Sequence, residues 1–224
     1  MVVSRASGKT GQGARRKVAS RTQQERSDAT RGALILAGRR HFGERGFHDA
    51  STTDFTADAA VTRGALYHHF SDKKALFDAV VQDVATRLAD HARDEVLAQV
   101  PEISTPMLGW RRLLIALRSY LRAVSMDPET QRILLIDAPA VLGWARWREI
   151  QAAVFLPGTA ALLEQIMAAK LIRRADAGTL AQFILAATND AALLIANAPD
   201  SEKGLEQCVE TLMVMMDGLL LSGG

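Results

Sequence analysis

The most specific chemistry in the chain lies in Val61 to Phe77, which reads Val-Thr-Arg-Gly-Ala-Leu-Tyr-His-His-Phe-Ser-Asp-Lys-Lys-Ala-Leu-Phe. The Thr62 hydroxyl can cap a helix, and Arg63 behind it carries a planar fork able to donate two hydrogen bonds to the edge of guanine. Gly64 and Ala65 have no bulk to hold a backbone off a nucleic acid, and the methyls of Thr62 and Ala65 suit a thymine methyl. One turn on, Tyr67 and His68 carry donors for phosphate oxygens, contacts that position a helix without reading sequence. Lys73 opens the next helix and adds its charge beside backbone amides that themselves favour an anion. Upstream, Ser51-Thr52-Thr53-Asp54 has the spacing of a capping box and starts a short helix. Two short helices joined by a tight turn form a helix-turn-helix, whose second helix reads the major groove while the first crosses the backbone. The candidate DNA contacts are therefore Thr52, Thr53, Thr62, Arg63, Gly64, Ala65, Tyr67, His68 and Lys73.

The elements that must hold these residues are all helical. Ser27 can cap a first helix, Leu34, Ile35, Gly38 and Phe42 recur at helical spacing, and Gly46 offers a left-handed stop after Arg45. Leu66 and Phe70, at i and i+4, are expected in the core beneath the reading helix. Ser71 is expected to cap a fourth helix in which Leu76, Phe77, Val80 and Val84 keep a helical period to about Val100, before Pro101. Thr105-Pro106 and Asp127-Pro128 mark further starts. A long stretch from Pro139 to Lys170 is expected to kink or break at Pro157-Gly158, and two last helices cover 177–197 and 203–221. The fold class is all-α. Residues 1–26 form a basic tail without order, 27–74 a three-helix DNA-binding domain with its helix-turn-helix, and 75–224 a helical domain for effector binding and dimerisation.

Composition agrees: 48% of residues are apolar and only 5% aromatic in a chain of 224, which favours helices and allows a sizeable core. The net charge of +2 conceals a split, because residues 1–74 hold 14 Lys/Arg against 7 Asp/Glu while the remainder holds 13 against 18. A cationic module on an acidic body suits a nucleic-acid reader with a separate regulatory part. In the tail, Arg5, Lys9, Arg15, Arg16, Lys17, Arg21 and Arg26 face one acid, Glu25; this is either an arm along phosphates or a solubilising leader. The single cysteine, Cys208, makes no internal disulfide, no leader signature is seen, and no uninterrupted apolar run has the length of a membrane span, so a cytoplasmic protein is expected.

Other side chains admit two readings. Trp144 and Trp147 share a helix face at i, i+3 and, with Trp110, Phe155 and Asn189, could line an effector pocket; ordinary core packing is the alternative. Asn189 and Asp190 are polar within an apolar helix and could face an effector or a second subunit. Leu212-Met-Val-Met-Met216 and Leu219–Leu221 are apolar nearly all round, which fits a helix covered by its own domain and by a partner copy. His68 and His69 point about 100° apart on a helix and cannot hold one metal, and His41, His48 and His91 have no partner ligand at useful spacing. No cofactor motif, nucleophile triad, phosphate-cradling loop or carboxylate pair points to an enzyme.

On Gly46-Phe47, Ser51-Thr52, Asp54, the run Val61–Phe70 and Lys73, the chain resembles the TetR family of bacterial repressors. The likeness covers about 50 residues; beyond them it rests on length, helical succession and the stretch Asp137-Ala-Pro-Ala-Val-Leu-Gly-Trp144. The sequence departs from the family at His41 (usually Leu), Ala60 (usually Gly) and Lys74 (usually Glu). The resemblance implies a homodimer, paired through its last two helices, on a near-palindromic double-stranded operator, released when a small molecule shifts the spacing of the two heads. A DNA-binding activator or regulator without an effector is the alternative.

Overall fold

The computed structural model describes residues 10–221, and their side chains from residue 23 onward. In chain order the elements are α1 (Thr10–Asp49), α2 (Thr52–Asp58), α3 (Arg63–His69), α4 (Lys73–Gln99), α5 (Pro106–Ser125), α6 (Pro128–Thr130), a π-helical stretch (Gln131–Asp137), α7 (Ala138–Leu142), α8 (Trp144–Ala168), α9 (Ala177–Ala196) and α10 (Ser201–Asp217). The fold is all-α; among the described residues the one β-type pairing is the isolated bridge between Ile172 and Leu220.

Local signals set most boundaries. The Thr62 and Thr105 side chains accept from the amides of Ala65 at 3.2 Å and Leu108 at 3.3 Å, capping α3 and α5. Gly46, at φ 79°, interrupts α1 where a stop was expected after Arg45. Three expectations need correction. Ser27 lies inside α1, which already runs from Thr10, because a helix nucleated by core-packed residues propagates at little cost through Arg, Lys, Gln and Ala. Residues 10–26 thus belong to a helix, whereas residues 1–9 of the expected tail, and the basic side chains up to Arg21, lie outside what is described. Asp72, not Ser71, caps α4: its carboxylate accepts from the Ala75 amide at 2.7 Å, a charge-assisted bond stronger than a hydroxyl provides. Finally, α8 runs through Pro157, and the break falls at Gly143, φ 87°. The carbonyl that Pro157 leaves without a helical partner belongs to Ala153, which is exposed to water.

Phe42 centres the head, its ring 4.9 Å from both Phe55 and Phe77 and 5.8 Å from Phe47, so α1, α2 and α4 share one aromatic cluster. Leu66 and Phe70 are buried beneath α3, as their spacing predicts. The core continues without interruption along α4 through Val80, Val84 and Leu88 into the body, so α4 belongs to both lobes. Polar contacts tie the lobes as well: the Phe47 amide donates to Asp137 at 2.9 Å, Arg132 to the Glu44 carbonyl at 2.8 Å, and Arg146 grips Asp78 at 2.7 and 3.0 Å. Arg39 pairs with Glu129, and Gly43 lets α1 pass so close that a Cβ there would overlap the Glu129 Cγ. By length and composition α8 and α9 could each cross a bilayer; here Ile150, Leu163 and Ile166 of α8 and Ala181, Ala192 and Ile195 of α9 are buried in the bundle.

Candidate nucleic-acid interface and internal cavity

Seven residues of α2 and seven of α3, joined by the turn at Ala59–Thr62, build the reading unit. Ala60 sits at φ 54° in that turn, the left-handed region that glycine enters most easily. Leu66 and Phe70 anchor α3 from below, which turns Thr62, Arg63, Gly64, Tyr67 and His68 to the surface, with Ala65 half-exposed. Arg63 lies over the Tyr67 ring, 5.5 Å from its centroid. Hydrogen bonds from Arg63 first, and then from Thr52, hold the Tyr67 phenol below its ordinary pKa. Thr52 on α2 thus joins Arg63 and Tyr67 in one polar cluster, while Thr53 is exposed and donates its amide to the Ser51 hydroxyl at 3.2 Å. The arrangement presents hydrogen-bond donors on a narrow, small-residue-fronted helix, the geometry that major-groove reading needs.

Lys73 stands apart from this face. Its ammonium donates to the carbonyls of His48 and Ala50, each at 3.1 Å, and lies 4.6 Å from the Phe47 ring centroid. It fastens the end of α1 to α4. Sequence reasoning assigned it to phosphate alone because these carbonyls are more than twenty residues away. Gln23, Gln24, Arg26 and Thr30 of α1 border an open groove shared with Gly64, Ala65 and His68; of the four on α1, only Arg26 was marked, through the basic composition of the tail. His41 rests 5.8 Å from the Phe55 ring, with Nε2 3.4 Å from the Asp58 carboxylate.

In the body, α4, α5, α8 and α9 enclose a cavity of about 470 Å³. Phe155 lines it; the other four candidates do not. Trp110 is buried in the core, Trp144 is 62% exposed, and Trp147 donates its indole N–H to the Leu134 carbonyl at 2.7 Å. Trp144 follows the break at Gly143 and so leaves the bundle, while Trp147 needed a partner for its N–H and braces the π-helical stretch. Asn189 is buried behind the wall, accepting from the Tyr120 hydroxyl at 2.5 Å and donating to Gln151 at 2.7 Å. Asp190 is exposed. The lining that sequence missed includes Arg112, Leu113, Leu117, Tyr120, Leu162 and Ile184. Spacing along one helix gives no signal for walls drawn from four.

A short exposed helix carrying Arg63 and Tyr67, seated on a helical body, defines a helix-turn-helix DNA-binding regulator of transcription. Residues 34–80 match the model of bacterial regulatory proteins of the tetR family, and 110–219 match the tetracyclin repressor-like C-terminal domain. A TetR-family transcriptional regulator from Pectobacterium atrosepticum, known from a crystal structure, is 33% identical with a TM-score of 0.73, covering 88% of this chain and 97% of that one. The transcriptional repressor AcnR of Corynebacterium efficiens is 25% identical over 154 residues, 67% of this chain and 69% of its own. The regulator UidR of Escherichia coli is 32% identical over 101 residues, 41% and 52% of the two chains. The chain belongs to the TetR family.

Proposed function

We propose that this regulator is a homodimeric repressor that occupies a near-palindromic operator until a small molecule in the cavity of the body releases it. The observation that carries the reading is the course of α4. It begins at Lys73, directly behind the reading helix, and further along it lines the cavity with Ala89, Ala92 and Val96. A ligand that prefers one position of α4 must bias the heads, and the coupling is reciprocal: operator weakens ligand by the factor that ligand weakens operator. Support for the dimer comes from α9 and α10, where Phe183, Leu194, Val214 and Met215 are 59–73% exposed while Leu212 and Met216 face inward. Such an apolar face calls for a cover, and a second copy supplies one by two-fold symmetry. The naming of the similar protein AcnR as a repressor supports that sign of regulation. Thr52, Thr53, Thr62, Arg63, Gly64, Ala65, Tyr67 and His68 contact the operator, and the protein works in the cytoplasm.

The test is retention of DNA fragments flanking the protein's own gene, with sedimentation to give the species bound. One dimer per half-site pair and release by a metabolite are expected. A monomer on DNA, or a complex that no metabolite dissociates, rejects the respective part of the reading.

A further inference from the structure

We infer that the cavity takes an apolar monocarboxylate, its carboxylate on Arg112 and its hydrocarbon extending toward Tyr120 and Phe155. The inference rests on the reading of this cavity as the effector site. Two cations, Arg93 and Arg112, line the wall, and no Asp or Glu does. Arg93 is answered by Asp90, 2.7 Å away. Arg112 is not: its Nε donates to the Val100 carbonyl at 2.9 Å and one terminal nitrogen to the Pro101 carbonyl at 2.5 Å. Carbonyls orient a guanidinium without cancelling its charge, and three of its five N–H donors stay available. Among the described residues no carboxylate pairs with it. A guanidinium fixed in plane, half-buried and uncompensated is suited to a carboxylate taken in two parallel hydrogen bonds.

Apart from Gln165, Thr159 and Thr188, the remainder of the wall is built for hydrocarbon. Leu113, Leu117, Val154, Leu162 and Ile184 line it, and Tyr120 packs edge-on against Phe155 with centroids 5.2 Å apart. The Tyr120 hydroxyl is turned away to Asn189, and the Thr188 hydroxyl donates to the Ile184 carbonyl at 2.7 Å, so this end offers an aromatic face and no free donor. Burial pushes the Tyr120 phenol up, so it stays neutral. Arg112 and Tyr120 are separated along α5 by roughly 12 Å at the helical rise, a span that a medium-length alkanoate or an arylalkanoate fills. A cationic amphiphile finds no carboxylate in this wall. A polycarboxylate finds one unanswered cation and an apolar remainder that cannot solvate its second charge.

Calorimetry on the full-length, DNA-free protein with octanoate, 4-phenylbutyrate, octanol, octylamine and succinate tests this. Octanoate or phenylbutyrate should bind at one per protomer and at least ~10-fold more tightly than octanol, the difference between a charged and a neutral hydrogen-bond acceptor. Octylamine and succinate should not bind. Arg112→Gln should lower octanoate to the affinity of octanol and leave octanol unchanged. Octanol or octylamine binding as tightly as the acids, or neither acid binding at millimolar concentration, overturns the inference; the wild-type series decides this even if the variant fails to fold. Displacement of operator is measured separately. An acid that binds but leaves the operator complex intact supports the ligand class and rejects the effector reading, whereas octanol that equals the acids and releases DNA rejects the class and supports the effector reading.

Discussion

Replacing Lys73 by Met removes a charge from the front of the molecule, and the structure locates most of the damage in the fold. The ammonium holds the carbonyls of His48 and Ala50 at 3.1 Å each and rests against the Phe47 ring. A hydrogen bond from a charged donor contributes about 1.5–3 kcal/mol, and a cation over an aromatic face about 0.5–1 kcal/mol where exposed. His48 is exposed and its carbonyl regains water, whereas Ala50 is buried and its carbonyl does not. A loss of about 2–4 kcal/mol follows, dominated by the Ala50 bond and the ring contact. Urea unfolding of the DNA-free protein at fixed concentration should register it as a lower midpoint at unchanged slope. Lys73→Arg should retain most of the stability. Two of the three ammonium donors are committed, so at most one phosphate contact is lost with the charge, and the salt dependence of operator binding should flatten by no more than about 0.9 per protomer. An unchanged midpoint together with a flattened salt dependence would refute the fastening role and return Lys73 to the phosphate backbone alone.

Arg63→Ala should cost about 1–3 kcal/mol on the preferred operator and relax the preference at one base pair of each half-site; binding to scrambled DNA, measured alongside, should change far less. Ala60→Gly should stabilise the head by about 0.5–1 kcal/mol, because a left-handed Ala costs about 1–2 kcal/mol and the added chain entropy of Gly returns about 0.5–1; a lower melting temperature would contradict the strained turn at φ 54°. Gly43→Ala drives a methyl into Glu129 and should cost about 1–3 kcal/mol, as overpacking does, with partial rescue by Glu129→Ala in thermal melts. The Arg146 guanidinium holds the Asp78 carboxyl below the usual range. A depressed carboxyl adds stability above its unfolded value near 3.9, lost as pH falls through the lower folded value. Arg146→Met should therefore be less stable than the parent by a constant amount at neutral pH, and the gap should begin to narrow as pH falls below about 4; a gap that does not narrow in acid would assign the loss to packing.

Residues within a few positions of one another settled a good part of this protein. The hydroxyls of Thr62 and Thr105 cap their helices, Leu66 and Phe70 sink beneath α3, and Gly46 interrupts α1, because capping and the helical period are decided within one or two turns of chain. The face carrying Arg63, Tyr67 and His68 followed from those anchors. Contacts between distant segments were not legible. Trp147 went to a backbone carbonyl and Trp144 to water while Phe155, on the same helix, reached the cavity, a sorting made by which neighbour each position of α8 meets. Lys73 found carbonyls at the end of α1, and Arg112 found those at the end of α4, partners that no local pattern around either residue announces. Helix ends are fixed locally by hydrogen bonds that the chain must make anyway, whereas a cavity is the space left when four separately specified helices pack, so its walls exist only in three dimensions.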